Sequence, residues 1–370
     1  MHEERKRMKK SHNSTLHFLL NLCIAAVLAL AFLSVYVICF NNSGVHVYNE
    51  SMATDYKWEP RQMKSTIDEG FAWLKMDEDG FNNYSIPDNI DILLMGSSHM
   101  EAVNLPKDEN VGYYLGELLH DKNIYNIGTS GHTIYTCVQN IKYAADYYRP
   151  SDYIVLETDT VSMDVDSMSE VVAETYPEIP SYDSGIVYMV QKKLPVAKSL
   201  FKALEDWRAV ESGNEDSDEG WFSVDKADNT EVNNGDFGDV DADSAGADGN
   251  SVYRQALEQF MSKAALDSKT ASGAKLIIFY HPTTSINDMG EFVTTTNPKE
   301  LAAFEEACEK NGIIFVDMTA DFERLYTKEH ILAHGFANTA VGYGHLNKYG
   351  HRTIATKLSE IMEGENNGIK

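Results

Sequence analysis

Basic charge is what this sequence most lacks. Its 370 residues carry 31 Lys and Arg against 57 Asp and Glu, a net charge of -26. A chain this acidic has no broad basic face, which argues against nucleic acid as a partner and against electrostatic adhesion to anionic lipid. Cysteine is scarce as well. Cys23, Cys39, Cys137 and Cys308 are widely separated, and the first two fall inside an apolar run, leaving at most one bridge, Cys137 to Cys308. No CxxC or Cys/His spacing suggests a zinc site, so buried free thiols are the simpler reading. The chain has no Gly-x-Ser-x-Gly elbow and no internal repeat.

The N-terminus is the exception to the acidic rule. Residues 1–10 hold Arg5, Lys6, Arg7, Lys9 and Lys10 against Glu3 and Glu4. From Leu16 to Phe40 no charged residue occurs, and Leu, Ala, Ile, Val and Phe dominate. A helix needs roughly 20 such residues to span a bilayer. A secretory signal shares the pattern, but its apolar core is about 7–15 residues long and ends at a small-x-small cleavage site. This run is longer and has no clean site of that kind. The expectation is an uncleaved single-pass anchor over 16–40, a basic cytoplasmic tail over 1–15, and everything downstream outside the cytoplasm.

Residues 41–88 read as a polar stalk or lead-in, with a short helix near Arg61 to Leu74. A globular domain over 89–365 follows. Ile92 to Met95 is a short continuous apolar run, as expected of a strand covered on both faces. Further strands are expected at Ile124–Ile127, Tyr153–Leu156, Lys275–Tyr280 and Ile313–Val316. Helical spacing lies between them, at Val111–His120, Thr133–Tyr148, Val252–Ala265, Pro298–Asn311 and His351–Met362. Strand and helix in alternation predict an α/β fold, a parallel five-stranded sheet sandwiched by helices. An insertion over 161–250 interrupts it, with a helix expected around Ile186 to Leu204. Within it, residues 211–250 hold thirteen Asp or Glu and one Lys, a composition that cannot bury a core and reads as disordered. The acidic run Asp239 to Asp243 lacks the glycine and bidentate glutamate of a calcium loop.

In open parallel sheets ligands bind beyond the carboxyl ends of the strands. Ser98 follows the first strand in Gly96-Ser97-Ser98, a turn with little side-chain bulk. Gly131 lies past the second strand, Thr158 and Asp159 end the third, and His281 follows the fourth. His345 precedes the last helix, and a helix start beside it would keep the ring neutral, as a base requires. A serine and a late histidine on one edge are the minimum for nucleophilic acyl chemistry. His99, His132, His281 and His334 are the residues that could gather there around a metal. The reading adopted needs neither metal nor cofactor.

These pieces resemble the SGNH or GDSL-like hydrolases over most of residues 90–360, outside the insertion. Gly96-Ser97-Ser98 is similar to the family's Gly-Asp-Ser block, Asn126 to Thr133 to its glycine block, and His345-Leu-Asn347-Lys-Tyr-Gly350 to its histidine block. The resemblance implies an SGNH/flavodoxin-like fold, Ser98 as nucleophile and His345 as base. It also implies an oxyanion hole from Ser98 and Gly131. Two positions depart from the family. Asp159 stands where the family has an oxyanion-donating Asn, so either Asp159 is protonated, or a hydroxyl of Thr158 or Thr160 takes over, or the hole has only two donors. Gly342 stands where it has the orienting Asp, so Asp317 is the candidate acid, with a Ser–His dyad as the other option. The implied activity is that of an extracytoplasmic esterase or O-acyltransferase acting on acyl esters of cell-surface glycans. A non-catalytic glycan-binding or assembly role is the alternative.

Overall fold

The computed structural model describes residues 2–40, 44, 46–49, 51–52, 56–67, 69–174 and 247–367. Helix α1 (His2–Phe40) comes first, and within it Ser14–Val37 is long and apolar enough to cross a membrane, with a hydropathy of 2.6. Four short strands follow. β1 (His46–Tyr48) pairs antiparallel with β2 (Tyr56–Trp58), and β3 (Met63–Thr66) pairs antiparallel with β4 (Ala72–Lys75). The helix expected near Arg61–Leu74 is therefore a β-ribbon. Its strand β4 alternates buried Ala72 and Leu74 with exposed Trp73 and Lys75, a period of two rather than of 3.6. The lead-in is also more than a stalk. Trp58, Ala72, Leu74 and Met76 are buried in a small cluster with Val103.

The body of the molecule runs β5 (Ile92–Met95), α2 (Ser98–Glu101), α3 (Val111–Leu118), β6 (Ile124–Asn126), α4 (Ile134–Tyr148), β7 (Tyr153–Thr158) and α5 (Val165–Val172). It resumes with α6 (Ala247–Ala271), β8 (Lys275–Tyr280), the hairpin β9 (Thr284–Ile286) and β10 (Phe292–Thr294), and α7 (Pro298–Lys310). β11 (Ile314–Asp317), α8 (Thr319–Glu329) and α9 (Lys348–Asn367) complete it. All five expected strands form. The β9–β10 hairpin and α8 are additions that the periodicity does not announce. The helix expected at Ile186–Leu204 and nearly all of the acidic stretch 211–250 lie outside the described residues, apart from 247–250 at the start of α6.

Five strands form one parallel sheet in the order β11-β8-β7-β5-β6. Side chains alternate between two apolar layers. Leu93, Met95, Ile154, Leu156, Leu276 and Ile278 pack into the layer of α4, α5, α6 and α7. Ile92, Leu94, Tyr153, Val155, Ile277 and Phe279 pack into that of α3, α8 and α9. Both faces are covered, which is why these strands read as unbroken apolar runs. The early part of the supposed insertion belongs to the first layer, through Val161, Met163, Met168 and Val171.

Counted along the chain, the strand order is 2-1-3-4-5. The chain reverses direction between its first and third strands, here β5 and β7. A crevice opens beyond the carboxyl ends of the strands at such a switch point. Ser98 follows β5 and Asp159 follows β7. None of the four cysteines is bridged: Cys137 and Cys308 are buried, Cys23 is exposed on α1, and Cys39 is partly covered.

Candidate active site

The turn after β5 is built to lift Ser98 out of the sheet. Ser97 caps the four-residue helix α2 with extended backbone (φ -79°, ψ -160°), and its Oγ accepts the His99 N–H at 3.2 Å. Its own N–H donates to Glu157 Oε2 at 2.6 Å, tying the turn to the neighbouring strand β7. Gly96 leaves that approach open: a Cβ there would sit 2.5 Å from Glu157 Oε2 and 2.8 Å from Met100 Cβ. Gly128 plays the same part on the next loop, where a Cβ would come within 2.6 Å of the Glu101 N. A second tie runs outward from α2. The buried Glu101 carboxylate accepts Trp58 Nε1–H at 2.5 Å and the Ser130 hydroxyl, so strand β2, helix α2 and the glycine loop share one group.

His345 meets Ser98 directly, with Nε2 at 2.7 Å from the hydroxyl. Asn347 positions this segment. Its Nδ2 donates to the Leu332 and Gly335 carbonyls at 2.8 and 3.1 Å, while its Oδ1 accepts the Tyr349 and Gly350 N–H groups as α9 begins. On the other side of the ring, Nδ1 lies 2.5 Å from Glu69 Oε2, and the His345 main-chain N–H donates to Glu69 Oε1. Asn104 Nδ2 donates to Glu69 Oε2 at 3.0 Å. The Nδ1 proton is thereby held toward Glu69, and the Nε2 lone pair faces the Ser98 hydroxyl.

The acid on His345 is thus Glu69, from the turn between β3 and β4, and not Asp317. Asp317 Oδ1 accepts the Thr319 N–H at 2.9 Å and the Thr319 hydroxyl at 2.6 Å, closing the turn into α8. Two glycines let Glu69 in. Gly344, at φ 97°, would drive a Cβ into the Glu69 carboxylate. Gly70, at φ 72°, would place one 2.5 Å from the Asn104 carbonyl oxygen. Gly342, three residues before His345, also has a left-handed backbone (φ 73°) and packs against Leu332 and the Thr284 carbonyl.

Charge reinforces the arrangement. Burial pulls the His345 pKa down, but the Glu69 hydrogen bond and charge, with Glu101 and Glu157 nearby, outweigh it, so the net shift is upward. The net direction is opposite to the one a helix start beside the ring would give. Glu69 itself is raised by burial and lowered more by His345 and Asn104, ending below its ordinary value. Glu157 is buried, yet the His281 and Ser97 donors hold it below the usual carboxylate range.

The four oxyanion candidates divide. The main-chain N–H groups of Ser98 and Gly131 have no acceptor among the described residues, and Gly131 takes φ 84° in an exposed turn. The Thr158 hydroxyl is already engaged, donating to the Thr160 carbonyl at 2.8 Å and accepting the Thr160 N–H at 3.2 Å. Thr160 is held in its turn by Ser162, whose N–H donates to the Thr160 hydroxyl at 3.1 Å. Asp159 keeps solvent access, but the surrounding protein and the Glu157 carboxylate push its pKa up.

Behind His345 lies a wall of imidazoles. His99, His281 and His334 place one nitrogen each within 4.8 Å of one another and are the residues that could hold a metal ion. Their hydrogen bonds bear on that capacity. His281 Nε2 is 2.8 Å from Glu157 Oε1, leaving a buried Nδ1 with no partner, which suits a ligand. His334 Nδ1 faces the Thr284 hydroxyl at 3.1 Å, also compatible. His99 is not: the Leu346 N–H donates to its Nδ1 at 3.1 Å, so in the neutral ring Nε2 carries the proton. The trio matches a hydrogen-bonded wall better than a ligand set. Burial, then the neighbouring imidazoles, push His334 to about 2 and His351 to about 3, and His99 well below its usual range. His132 is buried outside the trio.

A serine, a histidine and a glutamate stand in hydrogen-bonded series at the switch point of a 2-1-3-4-5 sheet, an order of groups chemically able to act as nucleophile, base and orienting carboxylate. Among solved structures, the chain is similar to an acetyl xylan esterase AlAXEase, with 13% identity over 74% of this chain and 99% of that one, at a TM-score of 0.37. It is similar also to a member of the lipolytic protein G-D-S-L family from Veillonella parvula DSM 2008, with 13% identity over 74% and 97% and a TM-score of 0.35. For TesA the figures are 10%, 72% and 96%, and 0.33. No family model and no curated protein matches the chain. Likeness at that level carries nothing about chemistry, which has to come from the residues themselves.

Proposed function

We propose that this protein is a serine esterase or O-acyltransferase that works through a Ser98 acyl-enzyme. The observation that carries the reading is the unbroken series Ser98 Oγ, His345 Nε2, His345 Nδ1, Glu69 Oε2, with links of 2.7 and 2.5 Å. Ser98 Oγ attacks the acyl carbonyl while its proton passes to His345 Nε2. Glu69 holds the ring in the tautomer that can accept that proton and stabilises the imidazolium formed. The N–H groups of Ser98 and Gly131 face no competing acceptor and receive the oxyanion. His345 then returns the proton to the leaving alkoxide, and the C–O bond breaks to give the acyl-enzyme. In the second half, water or a sugar hydroxyl gives its proton to His345 and attacks the acyl carbon, and Ser98 takes the proton back as it leaves.

The substrate class is what the resemblance to the SGNH or GDSL-like hydrolases implies, and place and charge are compatible with it. With α1 as an anchor and its basic end cytoplasmic, the body faces the cell surface. Its acidity disfavours polyanionic chains and suits neutral acyl esters of glycans. The non-catalytic alternative rests on Gly342 and Asp159, and Glu69 supplies the acid that Gly342 does not.

The test is a fluorophosphonate probe on the full-length protein in detergent, compared with Ser98→Ala. A Ser98-dependent adduct is expected, and its absence would sink the reading. Turnover of an acetylated glycan with and without an acceptor sugar then separates hydrolysis from transfer.

A further inference from the structure

The residue that brings the acid to the base belongs to a part of the fold that the sheet does not hold. Strands β3 and β4 form a sheet of their own, unpaired to the five central strands. An isolated two-stranded ribbon is marginal in water. Its buried apolar residues are the small cluster of Trp58, Ala72, Leu74 and Met76 with Val103. The turn at its tip, which carries Glu69, therefore needs its own fastening to stay against His345.

Beside the bonds that His345 and Asn104 make to the Glu69 carboxylate, the main chain of this turn is fastened by Asn338. Its Oδ1 accepts the Gly70 N–H at 2.8 Å, and its Nδ2 donates to the Ile67 carbonyl at 2.7 Å and to the Gly70 carbonyl at 3.2 Å. One side chain thus binds the main chain on both sides of Glu69. The fit is close: a Cβ on Gly70 would lie 2.8 Å from the Phe336 ring, two residues before Asn338 in the loop that leads to His345. Asn338 is itself exposed, and an amide on the surface whose polar atoms are all turned inward onto one turn is not there for solubility.

We propose that Asn338 is a positioning residue for the reaction, a latch that holds the Glu69 turn against His345 so that the acid arrives only when the ribbon is docked. This rests on the esterase or acyltransferase reading for its kinetic readout, though not for its structural one. Because Asn338 is exposed and touches no reacting atom, its loss should act through Glu69 alone. A misplacement of the acid by about 1 Å is enough to cost on the order of 10²-fold in rate.

The experiment compares wild type, Asn338→Ala, Glu69→Gln and the double variant, each as the full chain in detergent. Two quantities are read: kcat and KM on an acyl ester, and the low-field proton resonance of His345 Nδ1. The expected result is that Asn338→Ala lowers kcat by about 10²-fold with KM little changed. It should also shift or broaden the Nδ1 resonance, and have no further effect in the Glu69→Gln background. An equal loss in both backgrounds, or an Nδ1 resonance that Asn338→Ala leaves unmoved while Glu69→Gln abolishes it, overturns the latch. If wild type shows no Ser98-dependent turnover but the resonance is still lost in Asn338→Ala, the latch holds and the proposed activity falls.

Discussion

The central sheet and the β3–β4 ribbon both contribute to the site, on opposite terms. Strands β5 and β7 are buried along their whole length and present Ser98 and Glu157 from a packed frame. The ribbon is half exposed and makes its contribution, Glu69, from the tip of a turn. The difference sets how each group is held. Ser98 is placed by packing and by one buried carboxylate, while Glu69 is placed by hydrogen bonds from His345 and Asn104, by the bonds of Asn338 to the main chain of Ile67 and Gly70, and by the space two glycines leave. Ser98 is tied to the core, whereas the Glu69 turn is tied to an exposed side chain, and under the proposed function the two should respond differently to surface changes.

The comparison can be broken at several points. Ser98→Ala, on the sheet side, should show the largest effect, a loss of about 10⁶-fold in kcat with the fold intact by circular dichroism. Glu69→Gln, on the ribbon side, should cost about 10⁴-fold and carry a pH signature. The base works only when neutral, so kcat/KM falls as pH drops through the His345 pKa. Glu69 holds that pKa up, and removing it should move the acid limb of the profile to lower pH. Gly344→Ala should reproduce the same profile, because its Cβ would expel the Glu69 carboxylate, and it should add little on top of Glu69→Gln. Glu157→Gln returns to the sheet side. It replaces the acceptor of the Ser97 N–H and the His281 partner, and should lower kcat by about 10²-fold through a displaced nucleophile. Asp317→Ala should leave activity unchanged and cost about 1 kcal/mol in denaturant unfolding, the net value of a lost hydrogen bond.

What can be read from the residues divides along the same line. The sheet is legible because its strands are apolar on both faces, and a run as short and unbroken as Ile92–Met95 is what a strand buried on both sides requires. Ser98, Gly131 and His345 are legible because they sit at the ends of those strands and before the last helix. Glu69 is not. It lies 29 residues upstream of Ser98 in a polar stretch, and only long-range docking brings it to His345. The nearest signal is Gly344 beside His345, since a glycine next to a base marks a place where something must come close, but it does not say what. Asp317 invites the role of acid by its strand-end position, where its short side chain serves the following turn instead. Arg61–Leu74 suggests a helix because apolar residues recur there loosely, and pairing of β3 with β4 overrides that pattern.

The four thiols divide by reach rather than by pairing. Cys137 and Cys308 are closed to reagents by the core, and burial also pushes the Cys308 thiol up, so neither offers a reactive thiolate. Cys23 lies within the apolar span Ser14–Val37 and Cys39 just past its end. The native chain therefore carries its own topology reporter. A membrane-impermeant maleimide applied to intact cells should mark Cys39 and spare Cys23 if α1 is retained as an anchor, and should mark neither if the segment is cut away.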